Sequence, residues 1–245
     1  LLATVGLAVL FAWAGRVIEL RPLELLRDIG NVGVFLRGYL HPSFAHVDEY
    51  AWQCVVTVCI ALWGTLLALG IAIPLGLLGA RNISPHPTVY FLARRSMDVL
   101  RAVNEFVFAL MFVTAVGLGP FAGMLALAVH TGGVLGKLLS ESVEAIDPGQ
   151  VEGVVAVGAS RLHTIAFGVA PQVAPNFLSY ILLRFESDIR SASVIGMVGG
   201  GGIGFYLWDT IRSFNDREAA TVILLIVVMV MCVDVVSARI RRAAI

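Results

Sequence analysis

From Ala51 to Ala80 the chain carries no charged side chain, and its only polar ones are Gln53, Thr57 and Thr65. A helix of that length crosses the hydrocarbon of a bilayer, which takes about 20 apolar residues. The alternative is the centre of a large soluble core, and composition decides against it. The whole chain is 58% hydrophobic and 14% charged, whereas soluble domains carry about 25% charged residues. So few charges cannot cover a surface facing water. In lipid every backbone N–H and C=O must be satisfied internally, so long apolar stretches become helices. The fold class read from the sequence is therefore all-α, a polytopic membrane protein. The net charge of zero offers no basic face for nucleic acid. Cys54, Cys59 and Cys232 lie in apolar runs without metal-ligand spacing and read as small buried hydrophobes.

Further apolar segments follow in order. Leu1–Trp13 is too short to span and reads as the end of a first transmembrane helix. Arg16–Tyr50 alternates Arg16, Glu19, Arg21, Glu24, Arg27 and Asp28 among leucines, the pattern of an amphipathic segment at the membrane surface. His41 and His46 lack zinc-motif spacing and read as loop residues. Ala51–Ala80 is the second span. Arg81–Arg101, with four arginines and two prolines, is a polar loop running into an amphipathic helix. Ala102–Leu118 and Phe121–Leu139 are the third and fourth spans, the latter with Gly132, Gly133 and Gly136 placed for close packing. A fifth span starts near Leu162, kinks at Pro171 and Pro175, and runs to about Phe185. Glu186–Asp216 holds a glycine run, and Ala219–Val236 is the sixth span.

The stretch from Ser140 to Pro175 is built differently. Asp147-Pro148-Gly149-Gln150 is a helix start: Asp147 accepts from free N–H groups, Pro148 suits the first position, and Gln150 stands where a capping-box partner reaches back. A short helix over Val151–Val157 would stop at Gly158 in a left-handed cap. Ser160 is placed to cap the next helix. The short helix is apolar, with Glu152 its one charge, and outside lipid such a helix needs a partner.

Glu152, Gly158 and Pro171 fall at the spacing of the EAA loop of bacterial ABC importer permeases, the loop that docks the ATPase subunit. Gly153 and Val154 stand where that loop usually has alanines, and Gly168 and Ala170 where it has Ile and Leu. Asn104-Glu105-Phe106, Gly117-Leu118-Gly119-Pro120-Phe121, Gly136-Lys137-Leu138, Gly201-Gly202-Ile203-Gly204-Phe205 and Arg217-Glu218 resemble the phosphonate-type importer permease. The resemblance covers about Trp52 to Arg242.

The resemblance implies a type I ABC importer permease fold with about six transmembrane helices. Residues 1–50 would be the end of the first helix plus the interfacial segment. Residues 51–245 would be the transmembrane domain, with a cytoplasmic coupling loop over about 141–171. It implies import of phosphonate or a related phosphorus oxyanion, phosphite or phosphate, across the bacterial inner membrane. The implied partners are ABC ATPase subunits, an extracytoplasmic substrate-binding protein, a second permease chain (a copy or a paralogue) and membrane lipid. ATP and Mg would belong to the ATPase; this chain has no P-loop motif and is not expected to be an enzyme. Asp147, Gln150, Glu152, Gly158, Arg161 and Pro171 are the implied ATPase-coupling residues. An inner C-terminus puts eight arginines inside and seven outside, no positive-inside bias. The terminal Arg239, Arg241 and Arg242 and the resemblance favour that orientation.

Candidate path residues are Glu105, Arg184, Arg190, Ser191, Ser193, Gly199, Gly200, Gly201, Gly202 and Gly204. Gly199, Gly201 and Gly204 match a dinucleotide fingerprint, but no βαβ unit surrounds them. The run is either irregular backbone lining a pathway or a loop without a transport role. Glu105, placed a few residues inside a span, needs a partner or water; Arg184 and Arg190 are its candidates. A structural ion pair and a substrate contact both remain open. Arg184, Arg190, Ser191 and Ser193 suit phosphonate oxygens, or the arginines snorkel to water. Rival readings are an ion channel with Gly199–Gly204 as filter, an ABC permease for another small solute, and an intramembrane hydrolase. The last lacks both H-E-x-x-H and G-x-S-x-G.

Overall fold

Small residues let two long helices touch, and the remaining elements gather round that contact. In the computed structural model, residues 2–20, 24, 27, 30, 33 and 37–244 are described. Helix α1 (Leu2–Val17) is followed by α2 (Val47–Leu78), α3 (Pro87–Ala102), α4 (Glu105–Val116) and α5 (Pro120–Glu144). Then come α6 (Pro148–Ala156), α7 (Arg161–Gly200), α8 (Ile203–Arg212) and α9 (Asp216–Ala244). No strand occurs among the described residues. Helices α2 and α5 pack along most of their length. Gly64 meets Leu127, Gly132 meets Ile71, and Gly76 lies against Leu139 and the Gly136 carbonyl. Glycine permits this approach, and dispersion across it replaces the hydrophobic drive that lipid does not supply. Ile60, Leu127, Ile189, Ile195, Ile203 and Val222 fill the core between α2, α5, α7, α8 and α9. Trp52, Trp63, Met111, Phe121, Val227 and Met231 are exposed on its outside, where lipid accepts them.

Among the described residues four helices are long and apolar enough to cross a membrane: α2, α5, α7 and α9. The expected amphipathic helix and third span are α3 and α4, which meet at 86°; α4, at 12 residues, is shorter than the expected Ala102–Leu118. The bend has a local cause. Val103 is extended, and Asn104 caps α4 by accepting the Phe106 N–H at 2.9 Å. Counting that pair gives five candidate spans, and α1, at 16 residues, is the short remainder of the expected six. Within the expected interfacial segment Arg16–Tyr50, residues 21–23, 25, 26, 28, 29, 31, 32 and 34–36 lie outside the described residues. The fifth helix does not stop near Phe185. It continues α-helically to Ile195 and in a widened turn from Gly196 that leaves helical dihedrals at Val198 and Gly199. Its inner kink is likewise a π-turn, Thr164–Val169, just before Pro171, while Pro175 sits within the helix. Proline removes an N–H and crowds the preceding turn, and a widened turn absorbs the misfit.

A Cβ added at Gly76 would lie 2.9 Å from the Gly136 carbonyl oxygen, whereas one at Gly70 on the same helix meets nothing within 4 Å. Gly76→Val is expected to destabilise the fold by about 1–3 kcal/mol through overpacking. Gly70→Ala is expected to be neutral or stabilising. Thermal unfolding of the purified protein checks the pair; equal behaviour would contradict the close α2–α5 contact.

Candidate functional site

At one end of the bundle, α5, α6 and α7 form an elbow. Asp147 Oδ1 accepts the Gly149 N–H at 2.9 Å and Pro148 opens α6, as the sequence predicts. Gln150 does not close a capping box. Gln172, on α7, takes that place: its Oε1 accepts the Asp147 N–H at 3.1 Å, and its Nε2 donates to the Gly168 carbonyl at 2.7 Å. One side chain therefore ties the start of α6 to the π-turn. Gly158 has φ +81°, the left-handed conformation that lets the chain reverse after α6. Ser160 makes no cap; its hydroxyl meets His163 Nδ1 at 2.6 Å. Arg161 Nη2 donates to the Ile83 carbonyl at 2.6 Å and anchors the corner to the loop after α2. That loop is itself held, because Arg94 donates to the Gly79 carbonyl at 2.9 Å and to Glu144 at 2.6 Å. Glu144 also accepts the Arg81 N–H at 2.8 Å. Glu152 and Pro171 are exposed. Val155, Val157, Leu162 and Phe167 of the same elbow are also exposed, Val157 to 83%.

A second polar group lies at mid-height. Asp188 on α7 is 0% exposed. Its Oδ2 accepts the Thr65 hydroxyl of α2 at 2.9 Å, and its Oδ1 accepts the Thr131 hydroxyl of α5 at 2.8 Å. Arg184, one turn earlier, places Nε 3.1 Å from Asp188 Oδ1 and 3.1 Å from Thr131 Oγ1. A buried carboxylate is tolerable only when paired and hydrogen-bonded, and here both oxygens are engaged. Glu105 does not bond to Arg184 or Arg190. Its Oε1 accepts the Ser191 hydroxyl at 2.7 Å, and Oε2 lies 3.3 Å from His130 Nε2. His130 Nδ1 donates to the Val103 carbonyl at 2.9 Å. Glu105 stands at the first turn of α4, at the α3–α4 bend, rather than inside a straight span.

The other path candidates separate. Arg190 is 52% exposed and pairs with Asp234 at 3.5 Å. Ser193 is buried, and its hydroxyl donates to the Ile189 carbonyl at 3.1 Å, so it is engaged within its own helix. The glycine run packs inside the protein. Gly199 has φ +95°, Gly201 +77° and Gly202 +75°, so the chain leaves the helix there and re-enters it at Ile203. The Gly199 carbonyl accepts the Gly119 N–H at 2.8 Å, and Thr57 Oγ1 accepts the Ile203 N–H at 2.9 Å. Gly200 is buried against Gly123, Gly201 lies on the Pro120 ring, and Gly204, within α8, abuts the Ser193 carbonyl. Sequence reasoning missed Gln172, Asp188, Thr65, Thr131 and His130. The spacing of Arg184 and Asp188, four apart on one helix, was an available sign of their pairing.

Comparison with known proteins adds an independent finding. Residues 72–244 match the family model described as binding-protein-dependent transport system inner membrane component. The chain is 32% identical over 237 residues to the phosphite transport system permease protein PtxC of Stutzerimonas stutzeri, covering 97% of this chain and 86% of that one. It is 38% identical over 228 residues to the phosphate-import permease protein PhnE of Mycolicibacterium smegmatis, covering 92% of this chain but 42% of that longer one. Among solved structures it resembles an inward-facing conformation of the MetNI methionine ABC transporter. The TM-score is 0.69 at 18% identity, over 81% of this chain and 95% of that one, a likeness of fold alone.

Gln172→Ala removes the side chain that holds Asp147 and Gly168 together. It is expected to cost about 1 kcal/mol per lost bond and to speed hydrogen exchange at the Asp147 amide. Gly158→Val places a β-branched residue at positive φ, a strain of about 1–2 kcal/mol or more. Exchange and thermal unfolding measure both; an unchanged Asp147 amide in the Gln172 variant would remove the clamp from the description.

Proposed function

Because the chain belongs to the binding-protein-dependent transport system inner membrane component family, we propose that it is the permease subunit of an ATP-driven importer for phosphonate or a related phosphorus oxyanion such as phosphite or phosphate. It is a multi-pass inner-membrane protein. The observation that carries the substrate class is the near full-length similarity to the phosphite permease, joined by that to the phosphate-import permease. The family resemblance fits a channel poorly, since a channel leaves the elbow without a role.

In this reading α6 is the coupling helix. Its exposed Glu152 and the surrounding apolar side chains meet an ABC ATPase subunit on the cytoplasmic side. Asp147, Gly158, Arg161 and Pro171 set its angle, and Gln150 lies on its exposed first turn. ATP and Mg act in that ATPase. An extracytoplasmic binding protein delivers the solute, and a second permease chain, a copy or a paralogue, completes the pathway. Glu105, Arg184, Ser191 and the Gly199–Gly204 segment are the path candidates. The run supports this as packed, irregular backbone of the kind tolerated at membrane depth only inside protein or beside a cavity.

Reconstitution with the partner ATPase and binding protein tests the reading. ATP-dependent uptake of at least one of phosphate, phosphite and methylphosphonate is expected. Uptake of none of them, with uptake of an unrelated solute such as methionine, would overturn the substrate class. Glu152→Lys is expected to weaken ATPase retention by roughly 2–5 kcal/mol, as when one partner of an interfacial charge pair is reversed. ATP-coupled uptake should fall with it while the spans stay folded. Full uptake and normal ATPase copurification would take Glu152 out of the coupling surface.

A further inference from the structure

Among the described residues, the basic side chains of α5, α7 and α9 that lie against a carboxylate are Lys137, Arg184, Arg190 and Arg241. Three are paired through their terminal nitrogens. Lys137 Nζ lies 3.6 Å from Asp98 and 3.9 Å from Glu141, Arg190 Nη1 is 3.5 Å from Asp234, and Arg241 Nη2 is 2.6 Å from Glu186. Arg184 is arranged the other way round. Its Nε is the atom that contacts Asp188 and Thr131, each at 3.1 Å. Of the five N–H donors a guanidinium carries, the four on Nη1 and Nη2 find no partner among the described residues.

The partners of Arg184 are themselves immobilised. Asp188 is 0% exposed and receives hydroxyls from two other helices, so the guanidinium plane is held from its Nε side by a buried frame. Thr65 and Thr131 lie near the middle of α2 and α5, which puts this frame at mid-height. The Arg184 side chain nevertheless keeps 18% of its surface accessible. A planar fork with fixed orientation and unused donors matches the geometry of a tetrahedral oxyanion, which it can contact bidentately. Arg184 and Ser191 are two helical turns apart on one face of α7, and Ser191 holds Glu105 at 2.7 Å. Glu105 is 20% exposed. A carboxylate there limits how tightly an anion is held, and a site of transit must release what it receives.

From this geometry we propose that Arg184, pinned through Nε by the buried Asp188–Thr131–Thr65 frame, is the residue that contacts a phosphorus oxyanion as it passes mid-membrane. The proposal rests on the importer reading above and adds the contact that it leaves unassigned. Arg190 is a poorer candidate, because its side chain is 52% exposed and its one partner, Asp234, is itself 45% exposed, so no buried frame fixes its orientation.

The test uses the assembled permease–ATPase complex in proteoliposomes with its binding protein, and uptake of phosphate, phosphite and methylphosphonate. Arg184→Lys keeps the charge but loses the fork. Arg184→Gln with Asp188→Asn removes both charges while keeping hydrogen-bonding groups in the frame, so that no lone buried charge unfolds the protein. Both are expected to lower uptake roughly tenfold or more, the loss of a charge-assisted contact, with ATPase copurification retained. Wild-type uptake with normal uptake by both variants would overturn this inference alone. A wild-type complex that moves none of the three anions would overturn the importer reading and this inference with it. The wild-type complex gives a readout independent of variant folding: phosphate is expected to slow phenylglyoxal modification of Arg184, followed by mass spectrometry of its peptide. An unchanged rate at phosphate concentrations that saturate uptake would also overturn the proposal.

Discussion

The arrangement of the spanning helices depends on one carboxylate that neither water nor lipid can solvate. Asp188 is fully buried, so its charge is tolerable only where several donors converge. Those donors come from α2 through Thr65, from α5 through Thr131, and from its own helix through Arg184. Their convergence sets three helices at one height. The glycines of α2 and α5 then set how close two of them lie, since Gly64, Gly76 and Gly132 each face a side chain or carbonyl of the other helix. Polar pairing thus specifies register, and small residues specify distance, two tasks that apolar side chains alone perform poorly in a solvent as apolar as themselves.

The elbow follows a different logic because it projects from the bundle. It has no buried core of its own: α6 contains no buried residue. Backbone carbonyls and N–H groups left open by short helices are met by long side chains reaching across. Gln172 reaches Asp147 and Gly168, Arg161 reaches Ile83, and Arg94 reaches Gly79. A corner so built holds its shape while leaving Glu152 and its apolar neighbours outward, the arrangement that a docking surface needs.

Much of this was legible in the sequence. The long apolar stretches marked the spans, and Asp147-Pro148 with Gly158 marked the short helix and its left-handed stop, because caps and turns are local. What escaped was long-range pairing. The fifth helix was read as ending near Phe185 because Glu186, Asp188 and Arg190 look like the polar start of a loop. In the fold each is answered from elsewhere: Glu186 by Arg241, Asp188 by two threonines and Arg184, Arg190 by Asp234. Hydropathy sees each charge alone and cannot credit a partner distant in the chain. The same limit hid how sharply α3 meets α4, although the sequence already divides them at Arg101; Asn104 caps that bend, and His130 of α5 supports it by donating to the Val103 carbonyl. It also gave Gln150 a role that Gln172 performs, since a capping box is expected three residues on, not across a turn of tertiary structure.

Helix α7 joins the two polar regions without an intervening loop. Its first turns belong to the elbow, where the π-turn Thr164–Val169 packs against α6 through Gly168 and Val151. Its middle carries Arg184, Asp188 and Ser191, and its far end widens again at Gly196–Gly200 before the chain breaks at Gly201. The α-helical part between the two widened turns, Ala170–Ile195, is continuous. A displacement at the elbow therefore reaches Arg184 along one rigid element, about 1.5 Å of rise per residue away, rather than through a chain of side-chain contacts. The widened turns bracket that element, and a π-turn is the place where a helix changes its local register most readily. If α6 is where an ATPase acts, the proposed coupling surface packs against the first turns of the helix that carries the proposed anion contact, α7, and no further element stands between them.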